Sequence, residues 1–182
     1  MFTLSTTARK SLAIASIAAL SVSAVACNRG ESSDGADGGS VTLALSTQTN
    51  PFFVELRDGA QAKADELGID LDIQDASDDA ATQADQLRNA ETSGADVVIV
   101  NPTDSDAVGS AVQSLNNADI PVIAVDRSSN SGEVASFVAS DNVAGGKQAA
   151  DALAQACVGE GEILILRGIA GSSAATGRGQ GF

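Results

Sequence analysis

Beyond residue 40, short apolar runs alternate with segments in which apolar residues recur every three or four positions. Such a pattern predicts strands and helices in alternation. Because each helix stands between two strands, the predicted fold class is α/β with a parallel sheet. The predicted strands are residues 41–45, 69–73, 95–100, 121–125, 134–139 and 162–166, and the predicted helices are residues 51–67, 79–93, 105–118 and 142–157.

The apolar runs differ in kind along the chain. Residues 95–100 and 121–125 are continuous and rich in β-branched side chains, which predicts strands that are buried on both faces. Residues 69–73 alternate apolar and polar side chains, as a strand near the edge of a sheet does. We therefore expect a sheet with helices on both faces and residues 69–73 towards one side.

The first 26 residues have the features of a signal peptide. Arg9 and Lys10 precede the uncharged apolar segment 11–26, which is shorter than the ~20 residues of a membrane-spanning helix. The segment ends in Ala24-Val25-Ala26-Cys27, which resembles the lipid-attachment signal of bacterial lipoproteins, with Cys27 as the acceptor. Two alternatives remain open: cleavage at an A-x-A site with soluble secretion, and an uncleaved anchor.

Residues 27–40 predict a flexible tether, because they are rich in Gly, Ser and Asp and lack apolar periodicity. A tether behind a lipidated Cys27 would hold an extracytoplasmic domain close to the cell membrane. The second cysteine, Cys157, falls in a helical pattern, and we expect it to be a buried thiol.

Charge and composition exclude several classes of function. The formal net charge of −14 argues against nucleic acid as a partner, because phosphate binding needs a basic surface. The chain has no histidine, so it has neither a Ser-His-Asp nor a Cys-His catalytic set, and no His-ligated metal site. We expect no metal and no cofactor.

Candidate binding residues follow several predicted strands. Open parallel sheets bind ligands beyond the carboxyl ends of their strands. The loops at those ends supply hydroxyl, amide, carboxylate, guanidinium and phenyl groups, which suit a neutral polyhydroxy ligand. The residues concerned are Ser46, Asn50, Phe52 and Phe53 after the first strand, Asn101 after the third, Asp126 and Arg127 after the fourth, and the segment from Arg167 onwards.

Several of these residues have simpler interpretations. Asn50 is also a good N-cap for a helix that has Pro51 at its first position. Asn101 before Pro102 could only shape a turn. Phe53 fits the core face of its predicted helix, whereas Phe52 lies off that face. Asp126 and Arg127 could form an ion pair on the surface.

Nucleotide binding and catalysis have weaker support. The first strand is followed by neither G-x-G-x-x-G nor a Walker motif, and the segment from Gly177 to Gly181 lacks Walker spacing and its lysine. Carboxylates are plentiful, but no pair of them stands beside a nucleophile or a metal set. We therefore expect a binding protein rather than an enzyme.

Taken together, these motifs resemble the type I periplasmic sugar-binding proteins of ABC importers, and within them the ribose-binding proteins. The resembling stretches are NPFFVELRDGAQAKADELG, VNPTDSDAVGSAV, IPVIAVDR, GEVASFVASDNVAGGK and RGIAGSSAATGRGQGF. The resemblance implies a Rossmann-like N-terminal lobe at 41–140 and the start of a second lobe at 141–182, which close on one sugar. It also implies sugar contacts from Ser46, Asn50, Phe52, Phe53, Asn101, Asp126, Arg127 and Arg178.

Arg178 lies among glycines, which weaken the helix that the resemblance implies there by about 1 kcal/mol each. Since members of the family are longer chains, we expect this one to hold an incomplete second lobe and to bind sugar weakly.

The partners implied by the resemblance are a ribose-like monosaccharide, an ABC permease and, through Cys27, the membrane. We expect a monomer. One alternative is a sensor that presents a sugar or furanosyl signal to a chemoreceptor or kinase. A repressor core is disfavoured by the signal peptide and by the lack of an N-terminal helix-turn-helix.

Overall fold

The computed structural model describes residues 39–182. The predicted signal peptide (1–26), Cys27 and nearly all of the tether lie outside the described residues. Strands and helices alternate through most of the described part. The strands are β1 (Ser40–Leu45), β2 (Asp70–Asp75), β3 (Val97–Val100), β4 (Val122–Val125) and β5 (Ser136–Val138), and the helices are α1 (Pro51–Leu67), α2 (Ala80–Ser93), α3 (Gly109–Asn117), α4 (Asn142–Ala156) and α5 (Ser173–Gly181).

The five strands form one parallel sheet in the order β2-β1-β3-β4-β5. This confirms the predicted α/β class and places the alternating segment, β2, at an edge. The predicted boundary between lobes at residue 140/141 falls in the connection between β5 and α4, and it stays a prediction.

The main core lies between the sheet and helices α2 and α3. Side chains of β3 and β4, such as Val98, Val100 and Val122, pack there against Leu87 of α2 and Leu115 of α3. All five of these side chains are almost completely buried. This layer holds the carboxyl ends of the central strands in fixed positions.

The other face of β3 and β4 is only partly covered. Successive side chains of a strand point to opposite faces, and Val97, Ile99, Ile123 and Val125 are half-buried where their neighbours are buried. The prediction that both faces of these strands are buried is therefore wrong for one face.

Helix α1 begins and ends where the sequence predicts. The side chain of Asn50 accepts a hydrogen bond from the backbone N–H of Phe52, and Pro51 occupies the first turn. At the other end Gly68 adopts the left-handed conformation, with φ of 67°, that glycine tolerates best. Both ends carry specific residues, so this helix was predictable to the residue.

Helix α3 begins at Gly109, four residues later than predicted. The carboxylate of Asp104 accepts hydrogen bonds from the backbone N–H groups of Asp106 and Ala107. These bonds resemble those of an N-cap, but the carbonyl of Ser105, which a helix would pair with the N–H of Gly109, accepts from the N–H of Asn130 at 2.8 Å instead. The residues before Gly109 therefore form turns in place of a first helical turn.

The predicted strand at 162–166 does not form. Within the described residues its backbone groups pair with no other strand. Leu164 and Leu166 are each 87% exposed, and Ile163 and Ile165 about half exposed. The prediction of a strand at 162–166 is therefore wrong: an apolar pattern is not enough, because a strand also needs a neighbour to pair with, and none of the five strands pairs with this segment.

Helices α4 and α5 pack closely at glycines. A Cβ atom on Gly146 would overlap the carbonyl oxygen of Arg178, and one on Gly181 would overlap that of Val143. The backbones therefore approach more closely than larger residues would allow. The helix around Arg178 forms despite its glycines.

Candidate functional site

The candidate site lies where the order of the sheet reverses. From β1 the chain passes to β2 on one side and then returns to β3 on the other, and ligands of open parallel sheets bind at such a point. The hydroxyl of Ser46 donates a 2.6 Å hydrogen bond to Oδ1 of Asn101 there, and the Ser46 backbone N–H donates to the same oxygen at 3.3 Å. Two predicted site residues thus meet at the carboxyl ends of β1 and β3.

Asn101 joins three strands. Besides accepting from Ser46 after β1, its Nδ2 donates to the carbonyl oxygen of Val125 at the end of β4, at 3.1 Å. The side chain is 0% exposed, as is that of Ser46. Asn101 therefore does more than shape a turn: it fixes the floor of the site from within the sheet.

The two phenylalanines after β1 have different environments. Phe53 is buried, at 2% exposed, whereas Phe52 is 54% exposed. Their rings meet edge to face, with centres 5.3 Å apart. The core interpretation of Phe53 is confirmed, and Phe52 presents a free ring at the mouth of the site.

Asn50 is confirmed as the N-cap of α1, since its Oδ1 accepts from the N–H of Phe52 at 3.0 Å. Its amide NH₂ makes no hydrogen bond within the described residues, and Asn50 is exposed. The two interpretations of Asn50 are therefore compatible, because the oxygen caps the helix while the nitrogen stays available to a ligand.

Arg127 is held inside the site by a cation–π contact and by hydrogen bonds to two carbonyl oxygens. Its guanidinium carbon lies 5.4 Å from the centre of the Phe53 ring, within the range of a cation–π interaction. Its Nη1 donates to the carbonyl oxygen of Pro102 at 3.1 Å and approaches that of Thr103 at 3.5 Å. The fork of the guanidinium is therefore fixed before any ligand arrives.

The pair formed by Asp126 and Arg127 is not on the surface. Nε of Arg127 lies 3.7 Å from a carboxylate oxygen of Asp126, and both side chains are largely buried. The surface-pair interpretation is therefore wrong. At this distance the carboxylate of Asp126 balances the charge of Arg127, and the carboxylate oxygens can still accept hydrogen bonds from other donors.

The backbone at Asp126 is strained. Its φ is 62°, and the N–H of Arg127 donates to the carbonyl of Val125 at 2.7 Å, which closes a tight three-residue turn. The N–H of Asp126 is held by Val138 of β5 at 2.8 Å. Strain of this kind gathers at ligand sites, where surrounding structure enforces it; here it turns the Asp126 side chain out of line with β4.

Gln83 is a residue that the sequence analysis missed. It lies on the buried face of α2 together with Leu87 and Ala90. Its Nε2 donates to the carbonyl of Asn101 at 2.9 Å, and its Oε1 accepts from the N–H of Thr103 at 2.8 Å. The available signal was a polar residue in a position that the helical periodicity assigns to the core.

Arg178 is not joined to the other predicted residues. It is exposed on α5, and within the described part of the chain no hydrogen bond or ion pair links its side chain to Asp126 or Arg127. It lines a cavity of about 680 Å³ together with Arg167 and Ile165. The role of Arg178 stays a prediction.

The start of α5 does reach the site. The backbone N–H of Ser105 donates to the carbonyl of Gly171 at 2.9 Å, and that of Ser128 donates to the hydroxyl of Ser173 at 2.8 Å. Residues 171–173 are thus attached to the loops that follow β3 and β4, so only the far end of α5, with Arg178, lies away from them.

Other chemistry finds little support in residues 39–182. In this range no group of three or more His, Cys, Asp or Glu side chains is arranged to hold a metal ion. No described helix combines the length and apolar character needed to cross a bilayer. Cys157 is a free thiol that is half-buried, so its predicted burial is only partial.

Comparison with known proteins gives a consistent picture. The chain is 47% identical to the ribose import binding protein RbsB of Escherichia coli over 162 residues, which are 88% of this chain and 54% of that protein. It is 49% identical to the protein of the same name from Haemophilus influenzae over 142 residues, or 78% and 49% of the two chains. The chain therefore spans about half the length of the curated relatives it matches.

Solved structures agree on the fold. A Caulobacter myo-inositol binding protein bound to myo-inositol superposes with a TM-score of 0.74 at 33% identity, over 79% of this chain and 49% of that one. The fructose-binding periplasmic domain of the hybrid two-component system BT1754 gives 0.75 at 26% identity, over 79% and 48%. Residues 41–182 match the family described as "Periplasmic binding protein domain". Because that match spans most of the chain, the chain belongs to this family.

Proposed function

We propose that this chain carries the first sugar-binding wall of a substrate-binding protein of an ABC sugar importer, and that its ligand is ribose or a similar monosaccharide. The observation that carries the proposal is the half-exposed ring of Phe52 in contact with Phe53, whose ring in turn carries Arg127 and its partner Asp126. The similarity to ribose import binding proteins supports the same ligand class.

Each group at the site has a role in holding a neutral polyhydroxy ring. Phe52 would cover the C–H patches of one sugar face. The carboxylate of Asp126 would accept hydrogen bonds from hydroxyl groups, and the free donors of Arg127 and the amide of Asn50 would donate to ring oxygens. Because Ser46 and Asn101 are fully buried and bonded to each other, we propose that they act as the floor of the site.

Arg178 remains a proposed ligand contact. Because α5 is attached to the site only through residues 171–173, its far end would have to turn towards the cleft to bring Arg178 to a hydroxyl.

We further propose that the 182-residue chain binds sugar weakly, with a dissociation constant of about 1 mM or more, which is roughly −4 kcal/mol of binding free energy. The motivation is the exposure of Phe52: no described residue covers its outer face. A site that closes on both faces of the ring would bury it.

The location and partners follow from the leader. We propose that Cys27 is lipidated, that the domain sits outside the cytoplasm on a tether, that it works as a monomer, and that an ABC permease receives the sugar. Mass spectrometry of the membrane fraction tests the anchor: a diacylglyceryl group on Cys27 supports it, whereas a mature N-terminus at Cys27 without lipid contradicts it.

A sensory role is the second candidate. It is favoured by the likeness to a fructose-binding domain of a two-component system. The same sugar site would then present its ligand to a receptor or kinase. A permease that binds the sugar-loaded protein supports transport, and a receptor domain that does so supports sensing.

The sugar proposal is tested by NMR titration of the chain with D-ribose, D-arabinose and myo-inositol, with D-mannitol as an open-chain comparison. We expect shifts of the amide signals of Phe52, Asp126 and Arg127 with one of the cyclic ligands. Equal shifts with all ligands, or none at any of these residues, would overturn the proposal. Turnover of the sugar during the titration would contradict a pure binding role.

A further inference from the structure

A buried glutamine connects the core of the sheet to the candidate site. Gln83 is 2% exposed and lies between the apolar side chains of α2 and the loop after β3. A polar side chain is stable in such a place only if its donors and acceptors are paired. Gln83 satisfies this condition with two hydrogen bonds to backbone groups of a single loop.

Those two bonds grip the loop on either side of Pro102. Gln83 Nε2 donates to the carbonyl of Asn101 at 2.9 Å, and the N–H of Thr103 donates to Gln83 Oε1 at 2.8 Å. Pro102, which lies between these two bonds, has no N–H that could hold the loop. The carbonyl before it and the N–H after it are both paired with the side-chain amide of Gln83. The path of residues 101–103 is therefore fixed from the helix side.

The same loop holds Arg127 from the opposite side. The carbonyl of Pro102 accepts from Nη1 of Arg127 at 3.1 Å, and that of Thr103 lies 3.5 Å away. A rotation of this short segment would move both carbonyls together. The guanidinium would then lose its acceptors and shift over the Phe53 ring, from which it stands 5.4 Å.

We propose that Gln83 is a positioning residue of the sugar site: it sets the orientation of the 101–103 loop and, through it, the guanidinium of Arg127. Gln83 touches no ligand in this scheme. The effect of Gln83 on sugar binding rests on the proposed function. The effect of Gln83 on the position of Arg127 does not depend on it.

The amide is suited to this task in a way that other core side chains are not. It offers a donor and an acceptor at once, which match a carbonyl and an N–H two residues apart. An apolar residue of the same length would fill the space but would leave both backbone groups unpaired. Packing alone therefore does not explain a glutamine at this position.

Gln86 provides a matched control. It is on the same helix, is partly buried, and also donates from Nε2 to a backbone carbonyl, that of Asp75 at 2.9 Å. That carbonyl belongs to the end of β2 and has no contact with Arg127. Gln83→Met and Gln86→Met therefore remove similar chemistry from one helix, but only the first releases the 101–103 loop.

The experiment compares the full chain with the variants Gln83→Met, Gln83→Asn and Gln86→Met. The first readout needs no sugar. It is the NMR signal of the Nε–Hε group of Arg127 and the rate at which this proton exchanges with solvent. The signal is assigned by its absence from Arg127→Lys. We expect exchange at least ~5-fold faster in Gln83→Met than in the unchanged chain, and less than ~2-fold faster in Gln86→Met. Gln83→Asn retains the amide donor and acceptor on a shorter side chain, so its exchange rate should lie between those of the unchanged chain and Gln83→Met. If Gln83→Met does not fold, the exchange rate in Gln83→Asn is the test.

The second readout is sugar affinity by titration. We expect Gln83→Met to weaken binding of the responsive sugar about tenfold, a difference of roughly 1.4 kcal/mol, and Gln86→Met to leave it unchanged. An unaltered Arg127 signal in both Gln83 variants overturns the inference, whatever the sugar does. If the unchanged chain binds no sugar but the Arg127 signal responds as expected, the proposed function fails while the positioning role of Gln83 stands.

Discussion

The rings of Phe52 and Phe53 meet edge to face at 5.3 Å, yet one is 54% exposed and the other 2%. Two adjacent residues at the start of one helix point in directions about 100° apart. Phe53 therefore enters the core beneath Arg127, and Phe52 is left at the mouth of the site. The shared edge lets the buried ring hold the exposed one in place.

This arrangement predicts opposite effects for the two alanine substitutions. Phe53→Ala should lower the free energy of unfolding by about 3–5 kcal/mol, because it opens a cavity in the core. Phe52→Ala should change it by less than about 1 kcal/mol and should abolish the sugar-dependent amide shifts. Urea denaturation followed by circular dichroism measures stability, since the chain has no Trp or Tyr for fluorescence. Equal stability losses in the two variants would contradict the division of roles.

Local signals predicted much of the fold. Helix α1 was predicted to the residue, because Asn50, Pro51 and Gly68 mark its ends. The start of α3 was misplaced, because the carbonyl of Ser105 accepts from the N–H of Asn130 and not from that of Gly109, and apolar periodicity does not register such a contact. The sequence could not predict that residues 162–166 would stay unpaired, because strand formation depends on a neighbouring strand as well as on the segment itself.

The site was predicted in its parts but not in its connections. The rule for strand ends and the family resemblance selected Ser46, Asn101 and Arg127 from the sequence. That Asn101 would be wholly buried between Ser46 and Val125 depends on the distance between strands. Gln83 was missed because a helical pattern assigns only apolar residues to the core. The carbonyl of Asn101, which makes the burial of Gln83 favourable, lies 18 residues further along the chain.

The N-cap of α2 predicts a specific acid response. The backbone N–H of Thr82 donates to the Asp79 carboxylate at 2.6 Å. This bond is the largest cause that holds the pKa of Asp79 below its ordinary value of 3.8, and a hydrogen bond from the Thr82 hydroxyl is the second. Because the folded-state pKa is the lower one, the stabilisation is complete above pH 3.8 and is lost as the pH falls through the folded value.

Asp79→Asn tests this response. Asparagine caps helices about as well as aspartate, so the variant keeps the cap but loses the titration. We expect the difference in unfolding free energy between the two proteins to be constant from neutral pH to about pH 5 and to shrink in more acidic solution. Glu55→Gln, which removes an exposed carboxylate from the second turn of α1, is the control. A difference that grows on acidification contradicts the assignment.

The unpaired segment 162–166 predicts self-association of the 182-residue chain at high concentration; the monomer proposed above is the form present in dilute solution. Leu164 and Leu166 are both 87% exposed, and within the described residues the backbone of this segment makes no hydrogen bond to another part of the chain. Unpaired apolar strands recruit other strands. Analytical ultracentrifugation should show concentration-dependent association that Leu164→Lys together with Leu166→Lys removes. Leu67→Lys, at an exposed apolar position on α1, should leave association unchanged; an equal loss there would show that the contact is not specific to residues 162–166.

Close packing of α4 on α5 offers a test with neighbouring glycines. A Cβ on Gly146 would overlap the carbonyl oxygen of Arg178, whereas a Cβ on Gly145 would meet nothing within 4 Å. Alanine favours a helix interior over glycine by about 0.8–1 kcal/mol. Gly145→Ala should therefore stabilise α4 slightly, while Gly146→Ala gains the same propensity and loses the contact with α5.

Hydrogen exchange separates the two outcomes. In Gly146→Ala the amide protons of α5, Arg178 among them, should exchange several-fold faster, because α5 can no longer approach α4. In Gly145→Ala they should be unchanged or slower. The amide protons of α2, which packs against α3 and β1, should not respond to either variant. Loss of protection in α2 as well would mean that Gly146 supports the whole domain, and that the position of α5 is not set by this contact alone.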